Sequence, residues 1–243
     1  MAVTINGDGT INNLKNVSYE NLTVTTGATL PAATAIGNVS STEVGYVDGV
    51  TSSIQTQINT SGLKMVIPTS ATNGSVGANG VVTFSGVSSV SLNGCFTSSF
   101  ENYKVMWKIN SHSSLEPEIR MRFRTSGTDN STSAYSYAVI YAVRAPSSTG
   151  AASTIGAYNT TDMFMNQVYY SITPSVAEIN VYSPYASEKT NLFASVSTAS
   201  TGGIFVSSHS AVFNATTQFD GFSIYPNSGS FGGTIRVYGY NNG

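Results

Sequence analysis

From residue 63 onward the chain alternates apolar and polar residues with the two-residue period of half-buried β-strands. In NYKVMWKIN this period places Tyr103, Val105, Trp107 and Ile109 on one face. Similar stretches recur as EIRMRFR, AYSYAVIYAV, QVYYSIT, EINVYS, NLFASVS, GIFVSS, FSIYP and GTIRVYGY, with Gly, Pro, Asn and Ser between them. This spacing predicts a mainly β protein in which residues 63–243 form one antiparallel, jelly-roll-like β-sandwich.

Residues 1–36 also alternate, but only in short stretches such as AVTING and YENLTVTT. Turn signals at Asp8-Gly9 and Gly27 separate these stretches. The pattern predicts two or three short strands, which are too few to close a hydrophobic core. We therefore expect residues 1–36 to form an arm that docks on other chains.

Residues 37–62, between the arm and the sandwich, carry aliphatic residues at helical spacing. Ser40 and Glu43 fit a capping box, and Gly62 fits a helix C-terminus. The spacing predicts one short helix from residue 40 to residue 62. The aliphatic positions are Val44, Val47, Val50, Ile54 and Ile58.

This helix is expected to be weak on its own. Gly45 and Gly49 each cost about 1 kcal/mol relative to alanine in a helix interior. The aliphatic positions advance by three, three, four and four, as in the seam of a short coiled coil. The stripe can pack on its own sandwich or between identical copies. We favour association of three chains, because the arm has no core of its own.

Composition narrows the classes of partner. Only 9% of the residues are charged, against about 25% in ordinary soluble domains, and the net charge is -2. No broad positive field is therefore expected for nucleic acid or an anionic membrane. The N-terminus shows no secretory signal pattern, and no apolar run is long enough to insert in a membrane. The single cysteine, Cys95, excludes an internal disulfide and is expected in the core.

Residues able to carry out catalysis are few and scattered. The histidines His112 and His209 lie in serine-rich stretches. A serine close to either histidine is therefore weak evidence for a catalytic Ser-His-Asp triad. Glu116 and Glu118 flank a proline in what reads as a solvated turn, and Asp129 lacks the further acidic residues of a calcium loop. We therefore expect no catalytic residue, no metal site and no cofactor.

Arg120, Arg122 and Arg124 lie on one face of a predicted strand, and these like charges repel unless something compensates them. The simpler interpretation is an exposed strand face or a pairing at a subunit interface. The functional alternative is contact with anionic sugars on a cell surface. These three arginines are therefore candidate receptor contacts.

Three tyrosines near turns are further candidate receptor contacts: Tyr158, Tyr185 and Tyr225. They lie among Asn, Ser and Thr, so each combines an aromatic face with neutral hydrogen-bonding groups, a mixture that can hold a sugar. The competing interpretation is that each is ordinary protein surface.

The stretch STEVGYVDGVTSSIQTQIN resembles a segment of bacteriophage tail-fibre and related virion structural proteins. The closing stretch FDGFSIYPNSGSFGGTIRVYGY, residues 219–240, is similar to the last strands of many phage fibre or appendage C-terminal domains. The positions that carry the first resemblance are Thr42, Glu43, Val44, Val47, Asp48, Gly49, Val50, Thr51, Gln55, Thr56 and Gln57.

The resemblance implies a homotrimeric phage fibre or spike located in the virion. Residues 1–36 would anchor it to other virion proteins, residues 37–62 would form the trimer, and residues 63–243 would bind a host surface glycan or protein without enzymatic activity. The alternative is a head fibre, capsid decoration or tail adaptor with a purely structural role. A polysaccharide-degrading tailspike is a third possibility, which the short sandwich argues against.

Overall fold

The structure is a computed structural model that describes Val39 and residues 41–51, 53–54, 62–114, 116–144, 150–167, 174–200 and 203–241. The chain divides into two compact units, residues 1–54 and 55–243. The predicted arm, residues 1–36, and Ile58 of the predicted stripe lie outside the described residues, so their roles stay predictions.

The described part of the first unit contains the short helix α1 (Ser41–Gly45), and Ile54 is again helical. Turns follow over residues 46–49, and Gly49 has φ +80°, which an α-helix does not allow. The backbone bonds after the helix are three-residue turn bonds, from Asp48 N to Gly45 O (3.2 Å) and from Val50 N to Val47 O (3.1 Å). The predicted continuous helix over 40–62 is therefore wrong between residues 46 and 51, because the two glycines end it.

The second unit consists of strands in its described residues. They are β1 (Leu63–Val66), β2 (Ser70–Thr72), β3 (Ser75–Val76), β4 (Val82–Val87), β5 (Val90–Asn93), β6 (Asn102–His112), β7 (Glu118–Thr125), β8 (Thr128–Asp129), β9 (Tyr135–Arg144), β10 (Ala151–Thr160), β11 (Met163–Gln167), β12 (Ser175–Tyr182), β13 (Thr190–Ser200), β14 (Gly203–Phe213), β15 (Gly221–Pro226) and β16 (Phe231–Tyr240).

These strands form two sheets, in which every assigned pair is antiparallel. The large sheet has the order β10-β9-β14-β13-β12-β6-β16-β4-β3, and β1 also pairs with β16. The small sheet has the order β11-β7-β15-β5-β2, and β8 also pairs with β7. The prediction of a mainly β, antiparallel protein is confirmed.

One hydrophobic core contains side chains from both sheets. On β6 the predicted inner face is buried, from Tyr103 to Ile109, whereas Met106 between them is exposed. From the small sheet, Met121 and Phe123 of β7 join the same core and are fully buried. The two-residue period thus assigns each strand one face toward the other sheet.

Aromatic rings join the two sheets. The ring of Phe123 in the small sheet stacks on Phe219 at 4.8 Å and on Tyr135 of β9 at 6.1 Å. The ring of Phe213 in β14 contacts Tyr135 at 4.8 Å and Phe219 at 4.9 Å. Tyr135 Oη also accepts a hydrogen bond from Phe123 N (3.0 Å) and donates one to Asn130 O (2.9 Å). One tyrosine thereby links both sheets by packing and by hydrogen bonding.

Close backbone approach explains two glycines of the closing strand, β16. A side chain at Gly233 would collide with the backbone of Lys108 on β6, and one at Gly239 would collide with the ring of Phe100. Glycine lets β16 lie against these neighbours, which a larger residue would displace.

None of the helices described in the structure is long and apolar enough to cross a bilayer.

The predicted core position of Cys95 leads to a simple test. The thiol is fully buried, and burial raises its pKa, so thiolate is scarce. We expect Ellman's reagent to leave native protein unmodified and to titrate one thiol per chain in 6 M guanidinium. Rapid modification of the native protein would contradict this packing.

Candidate functional site

The predicted arginines Arg120 and Arg122 lie half-buried on the outer face of the small sheet. They project from β7, which lies between β11 and β15. The register sets Arg120 beside Phe164 of β11 and beside Tyr225 of β15. Strand pairing therefore brings two predicted arginines and one predicted tyrosine into a single cluster.

Asp162 compensates both arginines. Its Oδ1 accepts a hydrogen bond from Arg120 Nη1 (3.1 Å), and its Oδ2 lies 3.5 Å from Arg122 Nη2. The same Oδ2 accepts a hydrogen bond from Tyr225 Oη (2.8 Å). Glu118 also pairs with Arg120, through a bond from Arg120 Nε (3.1 Å). Two guanidinium groups thus face two carboxylates, and the cluster is electrically balanced.

The rings in this cluster lie under the guanidinium groups. The guanidinium carbon of Arg122 lies 5.0 Å from the ring centre of Tyr225, and that of Arg120 lies 5.7 Å from the ring centre of Phe164. These cation–π contacts each contribute about 0.5–1 kcal/mol. The ring face of Tyr225 is therefore covered by its own chain.

Burial and Asp162 together perturb the ionisation of the cluster. Burial, then the hydrogen bond and charge of Asp162, raise the pKa of Tyr225. For Arg120, burial acts to lower the pKa, but the hydrogen bond and charge of Glu118 and the charge of Asp162 outweigh it and leave the pKa raised. Tyr225 is protonated and Arg120 charged at neutral pH, which fits a structural network.

Arg124 is separate from this cluster and does not act as a surface residue. It is only 8% exposed. Its guanidinium donates hydrogen bonds to Ser91 Oγ (3.0 Å) and Ser223 Oγ (2.8 Å), and it pairs with Asp129. Arg124 therefore links β7 to neighbouring strands. The prediction that Arg124 is a receptor contact is wrong, because its burial leaves no room for a ligand.

The other two predicted tyrosines lie apart from each other in the fold. Tyr158 is in β10 and is 84% exposed, next to the bulge at Asn159. Tyr185 is in the turn after β12, 37% exposed, and its carbonyl accepts a hydrogen bond from Gln218 Nε2 (2.9 Å). Within the described residues, no hydrogen bond or ring contact joins either tyrosine to the Arg120 cluster.

Sequence reasoning missed Asp162 and Phe164. Asp162 is the last residue of the stretch GAYNTTD and Phe164 follows two residues later, where nothing in the local pattern distinguishes either from loop residues. They reach the arginines because β11 pairs with β7, and the bulge between Phe164 and Asn166 sets that register. Only knowledge of the strand pairing would have found them.

A second surface, on the outer side of the large sheet, is apolar, and we call it the apolar face. Seven large hydrophobic side chains on this face are each 41–65% exposed. They are Met106 of β6, Ile140 of β9, Val176 and Tyr182 of β12, Phe193 of β13, and Ile204 and Val206 of β14. A groove of about 730 Å³ runs between Met106, Ile140, Val176 and Val206.

A smaller groove of about 390 Å³ continues this surface toward β10, and the two grooves meet at Ile140 and Ser208. Phe193 lines the smaller groove. Apolar pairs such as Ile204-Phe205 mark strands that are apolar on both faces, which is typical of strands covered on both sides. That signal in the sequence could have predicted the apolar face.

The buried histidine His209 contacts a serine but has no catalytic setting. Ser207 Oγ lies 2.7 Å from His209 Nε2, and Phe164 stacks on the imidazole at 6.0 Å. Among the described residues no carboxylate forms a hydrogen bond or ion pair with this histidine, so the third member of a triad is missing. The described part of the chain also contains no group of three metal-ligating side chains.

Comparison with protein-family models, with curated proteins and with solved structures gives no match to this chain.

Removal of the Asp162 carboxylate should destabilise the fold. Asp162→Ala leaves two guanidinium groups and the Tyr225 hydroxyl without their shared acceptor, so we expect a loss of about 2 kcal/mol in the free energy of unfolding. Urea denaturation measures it. Glu188→Gln, in an exposed loop, removes one negative charge as a control and should change stability by less than about 0.5 kcal/mol. Equal effects would contradict the structural role of Asp162.

Acid should weaken the fold through His209. Burial lowers the pKa of His209 from 6.5 to about 4. Between these values the unfolded chain binds a proton that the folded chain does not, so stability is complete above pH 6.5 and falls toward pH 4. The total loss should be about 3 kcal/mol.

Urea denaturation at pH 7 and pH 4.5 tests this contribution. His209→Gln keeps a polar side chain that does not titrate, so the acid loss should shrink relative to wild type. The matched control, His112→Gln, should retain the wild-type loss. An unchanged pH dependence in His209→Gln would contradict the assignment.

Proposed function

We propose that this chain is a homotrimeric structural protein of a bacteriophage particle, a fibre or spike that attaches to the host surface. In this proposal residues 1–36 anchor to other virion proteins. The second unit is the distal, jelly-roll-like head, which binds a glycan or protein without chemical change. The resemblance of residues 41–59 to phage fibre segments is the starting point of this proposal.

One observation supports it above the others. The aliphatic residues of the segment are exposed in a single chain, with Val47 at 42%, Val50 at 38% and Ile54 at 45%. Three such residues in an eight-residue stretch cost free energy in water, and burial between identical copies removes that cost. Without a long helix, the contact would be a cluster of aliphatic side chains around the turn at Gly49.

The head offers a smaller set of receptor contacts than its sequence predicts. Arg120, Arg122 and Tyr225 are held by Asp162 and Glu118, although each keeps part of its surface in solvent. Tyr158 is the most exposed of the predicted tyrosines. Host attachment in this proposal therefore rests first on Tyr158 and on the margin of the Arg120 cluster.

The compensated arginines favour a second candidate, a head fibre, capsid decoration or tail adaptor with a purely structural role. A network that balances its own charges and covers its own aromatic faces leaves less for a ligand to bind. Incubating the purified protein with bacterial cells and with their surface polysaccharide separates the two. Binding without release of oligosaccharide supports attachment, and absence of binding to the cells of the phage's host supports the structural role.

The trimer is testable by light scattering. We expect a native mass three times the 25.4 kDa of one chain. The double variant Val47→Asp and Val50→Asp places charges in the contact, so its mass should fall toward that of one chain.

Thr51→Asp is the matched control, because it adds a charge at an exposed polar position of the same segment. Its mass should stay that of wild type. A wild-type mass of one chain at micromolar concentration would overturn the proposed trimer.

A further inference from the structure

We propose that the apolar face of the large sheet is covered by a second copy of this chain, so that the heads themselves associate. This inference rests on the proposed homotrimer and adds a surface to it. Nothing in the sequence resemblance points to this surface. The observations that carry it are its size, its chemistry and the adjacent edge strand.

The apolar face is as large as the largest apolar patches on typical monomers, which often have a function. Seven large side chains, each 41–65% exposed, present on the order of 600 Å² of apolar surface, and the largest patch on a typical monomer is about 300–600 Å². A standard interface buries about 800 Å² on each partner. The face therefore supplies most of the area that one stable contact requires.

The chemistry of this face resembles the interior of an interface. Between its apolar residues lie neutral hydroxyls, among them Ser195, Ser197 and Ser208. The one acidic residue lining the groove, Glu178, is paired with Lys104. The outer face of the small sheet instead carries ion-paired arginines, which are polar groups that water solvates well. The outer face of the large sheet is therefore the less favourable of the two to leave in water.

The two cations that line the groove lie at its β6–β16 end, where Lys108 is the register partner of Val176 and Arg236 that of Met106. Both are exposed, and neither forms a salt bridge within the described residues. Long cationic side chains keep their charged ends in water while their apolar stems are covered, so these two residues are compatible with association. Among the described lining residues, those around Val206 and Ile140 are uncharged.

Strand β10, beside this face, ends the large sheet within the described residues. It carries no charged residue and no proline, and its side chains are exposed almost throughout. Its pairing with β9 is regular from Ala151 to Ala157, and a bulge interrupts it only between Ala157 and Thr160. Isolated proteins usually protect such an edge with charge or proline, because free backbone groups pair with other chains. Edge and face adjoin, since Thr154 of β10 is the register partner of Ile140.

A second copy is the occupant that these features fit. A partner for this face must be largely uncharged, and the chain itself supplies such surfaces in the face and in β10. In a homo-oligomer each chain has one apolar face and one neighbour that can cover it. A closed ring of identical contacts therefore covers every apolar face.

Solvent access at Val206 provides the first test. Val206→Cys introduces a thiol on the face, and the native Cys95 is buried and silent. Thr72→Cys, on the exposed edge strand β2 of the small sheet, is the matched control. At oligomeric concentrations we expect maleimide to label Val206→Cys at least about tenfold more slowly than Thr72→Cys, because an interface centre excludes water.

Charge provides the second test, read by light scattering of the full chain. On dilution, Val206→Glu should lose the threefold mass at a concentration at least about tenfold higher than wild type does, whereas Thr72→Glu should dissociate at the wild-type concentration. Circular dichroism of both variants should match wild type, since both positions are exposed in one chain.

The outcomes separate this inference from the trimer on which it rests. If wild type has a threefold mass, while Val206→Cys labels as fast as the control and Val206→Glu dissociates at the wild-type concentration, the inference fails and the trimer stands. If wild type has the mass of one chain, both fail. Slow labelling together with dissociation of Val206→Glu at a higher concentration supports the inference.

Discussion

The packing of two antiparallel sheets across an aromatic core is the interaction on which the structure depends. With few charges and no disulfide, the second unit relies on burial of rings such as Phe123, Phe213 and Phe219. Tyr135 adds directionality, because its hydroxyl bonds the backbone of the opposite sheet. This core assigns every other residue of each strand to an inner or an outer face, and so decides which residues reach the surface.

The two outer faces that result differ in what they leave for a partner. On the small sheet, Asp162 and Glu118 form ion pairs with Arg120 and Arg122, so these charges are compensated within the chain. On the large sheet, hydrophobic side chains stay exposed across five neighbouring strands. The charged side chains of the small sheet pair with each other, whereas the apolar side chains of the large sheet remain exposed. Such a surface favours association by burial of apolar area over electrostatic binding of a charged ligand.

The described first unit follows the same principle on a smaller scale. Helix α1 ends at Gly45, and the exposed Val47, Val50 and Ile54 lie beyond it. Helical spacing predicted a longer element, because packing of the stripe was expected to outweigh the cost of Gly45 and Gly49, and within one chain these exposed residues have little to pack on. Val47, Val50 and Ile54 keep their significance, since all three are exposed in a single chain.

The sequence by itself determined the mainly β class, strands such as β6, β7 and β12, and the inner face of β6, because a two-residue period survives in any packing arrangement. It did not identify β10, whose alternation is weak. It also identified Cys95 as core and Arg120, Arg122 and Tyr225 as notable. The tertiary structure alone decided that Asp162 joins those three, that Arg124 is buried, and that the outer side of the large sheet is apolar. Strand order and register brought these residues together, and both depend on contacts between residues distant in sequence, which local patterns do not encode.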